Sequence, residues 1–169
     1  AFFWVNIVEA TKPKLTIRDE AYGGTYVSQS VPDPVVIKPG EKKTVVFTFK
    51  NTGTVSWNNQ GPNFISAFTV EPKYRVSIFR GADWADGGET GRMKGVVHPG
   101  ETGEIAITFV APKEPGLYRE EFFLAAQNYS WVKNGYFFAD IRVVDGEASS
   151  SIGIAAPTTT AFAGKQVYL

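Results

Sequence analysis

The chain has no cysteine, one histidine and one methionine. The missing cysteine excludes a disulfide framework, thiolate metal sites and a cysteine nucleophile. It does not assign a compartment, because secreted bacterial and archaeal domains often lack disulfides. Net charge is missing as well: seventeen Lys and Arg balance seventeen Asp and Glu. No basic stripe interleaved with aromatics is present, so no nucleic-acid partner is expected. The acids are dispersed, which argues against an acidic interaction tail. Hydrophobic runs are short, and none approaches the ~20 residues that span a bilayer as a helix, so no membrane span is expected. The run Ala1–Val5 is strand-sized, and no basic region precedes it, so no intact signal peptide is read.

What is present is apolar and aromatic. Hydrophobic residues are 43% and aromatics 14% of 169 residues, enough to bury the core of one domain with extensions. Val45, Phe47 and Phe49 alternate with Val46, Thr48 and Lys50. Ile105, Ile107 and Phe109 repeat that period against Ala106, Thr108 and Val110, and Ala139, Ile141 and Val143 repeat it again. A period of two is the mark of half-buried strands. Between the runs stand Pro39-Gly40, Asn51-Thr52-Gly53, Gly87-Gly88, Pro99-Gly100 and Pro115-Gly116. Proline presets φ and glycine supplies positive φ, so these are turns. Short alternating strands between such turns predict an all-β antiparallel sandwich over residues 35–144. An N-terminal extension, 1–34, precedes it, with a candidate strand at Lys14–Arg18. A Ser/Thr/Ala-rich tail, 145–169, follows, and its composition reads as disorder. The entries Pro39-Gly40-Glu41 and Pro99-Gly100-Glu101 echo each other, and we read them as one turn-to-strand device used twice.

The stretch from Val36 to Val144 resembles the FW-type Ig-like domain, named for four tryptophans. The residues that carry the resemblance are Pro39-Gly40-Glu41 and Phe49-Lys50-Asn51-Thr52-Gly53-Thr54-Val55-Ser56-Trp57. They continue with Pro99-Gly100-Glu101, Ala111-Pro112-Lys113-Glu114-Pro115-Gly116-Leu117-Tyr118 and Phe123–Trp131. The resemblance implies an Ig-like β-sandwich, with Trp57 closing the core and Tyr118 as a corner tyrosine. Phe47 and Phe123 stand where that family has tryptophan, and residues 70–95 form a longer loop region. The likeness is closer to the extracellular bacterial form than to the autophagy-receptor form, which implies an extracellular or cell-surface location.

Chemistry-bearing residues are few. His98 lies in a Pro-Gly turn without a second imidazole, so neither a histidine-rich zinc site nor a nucleophile elbow is expected. Asp83, Asp86 and Glu89 are candidate Ca²⁺ ligands in a glycine-rich loop, against the plainer reading of solvated acids. Glu120 and Glu121 are neighbours on a strand and point to opposite faces. That is the wrong geometry for a glycosidase pair, and one is expected to be exposed and the other at an edge or interface. Asn128-Tyr129-Ser130 is a glycosylation sequon. Tyr129, Trp131 and Tyr136 surround Lys133-Asn134-Gly135, read as a hairpin turn. These three are candidate ligand or interface aromatics, with packing against the sandwich end as the preferred reading. No cofactor, metal or catalysis is expected.

The sharpest feature is Phe2-Phe3-Trp4-Val5-Asn6-Ile7-Val8. Such a run needs burial on both faces, either on its own domain or as a strand added to a neighbour. Phe2, Phe3, Trp4, Val5, Ile7 and Val8 are therefore the candidate assembly residues. The expected function is a non-catalytic structural or adhesive subunit whose partners are copies of itself, joined by terminal strand exchange into a fibre, pilus or surface layer. The alternative is a cell-wall or glycan-binding module of a larger secreted protein.

Overall fold

The computed structural model describes residues 13–145. Eight strands follow in order: β1 (Gly24–Gln29), β2 (Val35–Ile37), β3 (Lys42–Asn51), β4 (Ile65–Thr69), β5 (Glu89–Arg92), β6 (Thr102–Val110), β7 (Gly116–Ala126) and β8 (Ser130–Val143). No helix occurs among the described residues. One sheet has the order β1-β3-β6, the other β2-β8-β7-β4-β5. All neighbours are antiparallel except β2, whose Val35–Ile37 runs parallel to Ile141–Val143.

The expected alternation builds the core. Val45, Phe47 and Phe49 of β3, Ile105, Ile107 and Phe109 of β6, and Ala139, Ile141 and Val143 of β8 are all buried in one cluster. Phe137 is its hub, 4.9 Å from the rings of Phe47 and Phe49 and 5.2 Å from Phe122. Because those rings come from both sheets, Phe137 ties the layers together. Trp57 is fully buried, and its ring lies so close to Gly24 that a Cβ there would meet it at 3.0 Å. Tyr118 donates its hydroxyl to the Glu114 carbonyl at 2.8 Å, the bond expected of a corner tyrosine.

The two echoed turns are one device. Gly40 and Gly100 take φ of 77° and 90°, where an L side chain is strained. Gly40 N–H donates to Ala111 O and Gly100 N–H to Asn51 O. The turns thus feed β3 and β6, which pair along their whole length from Lys42 opposite Val110 to Lys50 opposite Thr102.

Three local readings need correction. Lys14–Arg18 is not a strand: Leu15 and Ile17 turn towards the protein, but the backbone joins no ladder. The first strand is Gly24–Gln29, inside the stretch assigned to the N-terminal extension. Lys133-Asn134-Gly135 is not the hairpin turn. It is a bulge inside β8, with Asn134 at φ 59°, and the ladder resumes with Phe123 opposite Tyr136. The turn itself is Gln127–Tyr129, where Asn128 takes φ 58°.

Candidate binding surface

Side chains of the five-stranded sheet that point away from the core make a second aromatic cluster. Phe68 of β4 and Phe123 of β7 are nearly buried, yet neither belongs to the main core. Trp131 of β8 meets both edge-on, at 6.0 and 5.6 Å. Tyr74, from the segment after β4, stacks on Trp131 at 5.8 Å with the planes 23° apart. The row continues through Phe123 to Tyr136 and on to Phe138, which Arg119 caps with its guanidinium 4.0 Å from the ring centre. Offset and edge-on rings at these spacings attract each other beyond the area they bury.

Beside the Tyr74–Trp131 stack lies a groove of about 480 Å³, lined by Thr16, Arg18, Phe68, Tyr74, Tyr129 and Trp131 among others. Of the three expected aromatics, Tyr129 and Trp131 share this groove. Tyr136 stands apart, joined to Trp131 only through Phe123. Tyr129 donates to Asp19 at 3.0 Å, a bond that raises its phenol pKa above the ordinary value, with the Asp19 charge adding to it. Tyr136 donates to Glu121 at 2.8 Å, and burial, more than that bond, pushes its phenol up. Trp131 is half-buried among Phe68, Tyr74 and Phe123. Sequence reading missed Tyr74. No local signal marks it, because Tyr74 lies outside any strand and its partner Trp131 comes from β8.

The ionisable candidates fall elsewhere. His98 Nδ1 is 2.9 Å from Ser56 Oγ on an exposed turn. Asp83 and Asp86 are exposed while Glu89 is buried, and burial, with the Asp86 charge adding, raises the Glu89 pKa. Asp86 Oδ1 accepts from the Gly88 and Glu89 N–H groups, so it shapes its own turn. No group of three His, Cys, Asp or Glu placed to hold a metal occurs among the described residues. Trp84, in the same loop, is buried against Phe109 and Phe122 and donates to Thr108 O. Glu120 and Glu121 do point to opposite faces, but neither is exposed. Glu120 is buried and ion-paired with Arg75, because its face is the inner one shared with Phe122. Asn128 of the sequon is exposed, whereas the Ser130 hydroxyl accepts from Arg18 N–H and Asp19 N–H. The segment Phe2–Val8 lies outside the described residues, as does the tail from 146 onwards.

Two packed sheets, a corner tyrosine and a shared aromatic core define an immunoglobulin-like β-sandwich. The chain belongs to the family described as the Ig-like domain from next to BRCA1 gene, whose model matches residues 30–143. Curated protein sequences offer no match. Similar solved structures include a CARDB domain from Pyrococcus furiosus in complex with di-metal ions, 14% identical, covering 83% of this chain and 100% of that chain, with a TM-score of 0.43. An ASH/PapD-like domain of human CEP192 is 13% identical over 85% of this chain and 99% of that one, with a TM-score of 0.36. A structure from the aggregative adherence fimbriae of enteroaggregative Escherichia coli is 18% identical over 72% and 99%, with a TM-score of 0.34. Among the described residues no helix is long and apolar enough to cross a membrane.

Proposed function

We propose that this protein is a non-catalytic extracellular or cell-surface subunit of FW type that joins copies of itself by exchanging the Phe2–Val8 strand. One observation supports the reading: the described residues alone form a buried cluster that joins both sheets, with Phe137 of β8 against Phe47 and Phe49 of β3. Among the described residues, every buried member of that cluster lies between Val35 and Val143. The sequence adds the apolar run Phe2–Val8, and burying each large side chain contributes about 1.5–3 kcal/mol. A neighbouring copy supplies the burial in a fibre, pilus or surface layer. Electron microscopy of native material tests this. Ordered polymers are expected, and a uniform field of single particles would contradict it.

A second reading has its own support. The Tyr74–Trp131 stack beside a groove edged by Arg18 and Gln127 suits a cell-wall glycan, since flat rings stack on sugar faces and polar groups orient them. Calorimetric binding of wall oligosaccharides that is lost in Trp131→Ala would favour it over assembly.

A further inference from the structure

The edge of β8 is interrupted. At one end Lys133 N–H donates to Tyr22 O, and Gly23 lies parallel to Lys133. At the other end β2 pairs with Ile141–Val143. Between these points the chain leaves β8 to form β1 in the opposite sheet and then returns. The backbone groups left behind can be assigned by alternation, because in an antiparallel ladder successive residues aim their N–H and C=O at opposite edges. Asp140 N–H donates to Asp33 Oδ1, and Val144 N–H to Ile37 O. Tyr136 and Phe138 share that parity, so their N–H and C=O groups point away from β7, into the gap. No described residue pairs with them. A notch of about 250 Å³ occupies the gap, floored by Phe137 and walled by Tyr26, Gln29 and Asp33. Tyr26, Tyr136, Phe137 and Phe138 make its lining mainly aromatic, with Gln29 and Asp33 as the polar side.

We propose that this notch is the acceptor for Phe2–Val8 of a second copy, which adds to the β8 edge at Tyr136–Phe138 as a short strand. The proposal rests on the strand-exchange reading and names its receiving site. Backbone donors and acceptors paired by no described residue select an extended main chain over a compact ligand. The aromatic lining selects a segment whose side chains are large and apolar, as they are from Phe2 to Val8 apart from Asn6. Twelve residues precede Pro13, which leaves several beyond the donor segment to bridge between copies.

Since the chain has no cysteine, engineered pairs report unambiguously. Full-length Val5→Cys is mixed with Tyr26→Cys, or with Val76→Cys on an exposed segment outside the notch, and oxidised with oxidised glutathione. The proposal expects a mixed disulfide joining the two engineered positions, identified by peptide mass and so told from either variant's homodimer, with Tyr26→Cys and not with Val76→Cys. A second full-length variant, Phe138→Pro, removes an N–H that the β7 ladder does not use. It should stay folded, melting below the parent because the ring that Arg119 caps is lost, and lose assembly. Three results overturn the acceptor assignment: no linkage at Tyr26, equal linkage at Val76, or native assembly by folded Phe138→Pro. If assembly still depends on residues 1–8 in those cases, exchange stands with a different acceptor. An intrachain bond in the Val5→Cys/Tyr26→Cys double variant replaces exchange by self-docking, and a parent chain that never assembles overturns both.

Discussion

Arg75 and Glu120 form an ion pair of 2.8 Å that holds the segment after β4 onto the inner face of β7. The Glu120 side chain is 5% exposed and that of Arg75 22%. Ser77 Oγ donates to the same carboxylate, and Arg75 Nε reaches Val70 O. Removing one partner of a buried pair costs about 3–5 kcal/mol, because the other charge stays buried and uncompensated. The exposure of Arg75 places Glu120→Gln at the low end, about 3 kcal/mol. Arg119–Asp140 is more open to solvent, its side chains 39% and 27% exposed, and such surface pairs contribute only ~0.2–1 kcal/mol. Urea midpoints should therefore fall several times further for Glu120→Gln than for Asp140→Asn. Equal shifts would show that Glu120 is not held as described.

Asn51 is the polar pivot of the buried turn that follows β3. Its amide donates to Val55 O and Val97 O, and its oxygen accepts from Gly53 N–H. Asn51→Ala leaves those backbone groups unpaired, a loss of about 1–3 kcal/mol. Asn51→Asp keeps the acceptor and forfeits both donations, so it should rescue little. Thermal melting of the two variants checks this.

Gly53 serves the same turn through closeness, not through positive φ. A Cβ there would lie 2.1 Å from Ala21 O and 2.6 Å from Gly23 N. Gly53→Ala must therefore move backbone and should cost several times more than Gly61→Ala. Gly61 has open space and φ of 77°, where a side chain costs about 1–2 kcal/mol. Comparable losses would mean that the Ala21–Gly23 stretch yields easily.

Burial raises the phenol pKa of Tyr26 and Tyr136, and the bond to Asp19 raises that of Tyr129. Each folded-state value thus lies above the unfolded value near 10. Above about pH 10 the unfolded chain releases protons that the folded protein retains, so stability falls as pH rises. Below that pH these groups contribute no slope. Tyr136→Phe should flatten the alkaline decline, as read by denaturant unfolding at several pH values. An unchanged slope would contradict the assignment to Tyr136.

Strands with one buried face were legible because period two survives in sequence: Val45–Phe49, Ile105–Phe109 and Ala139–Val143 all land where alternation puts them. β1 was not, since four of its six residues are exposed and no alternation remains to read. Lys14–Arg18 shows the converse. Its side chains alternate in burial, but facing the protein is not pairing with a strand, and the Ser130 hydroxyl takes the Arg18 N–H instead. Asn134-Gly135 carried a turn signal that a bulge consumed. Trp131 was visible as an aromatic, yet its stacking partner Tyr74 lies over fifty residues away, a relation that only the fold supplies. The notch beside Tyr136 depends on where β1 departs from β8, which no local pattern encodes.

Sedimentation velocity of the full chain against a chain lacking residues 1–8 tests the central claim most directly. The account predicts concentration-dependent assembly of the full chain, and a folded monomer after deletion with the β-sheet circular dichroism of the parent. Assembly that persists in the shortened chain, or a full chain that stays monomeric at high concentration, would contradict strand exchange.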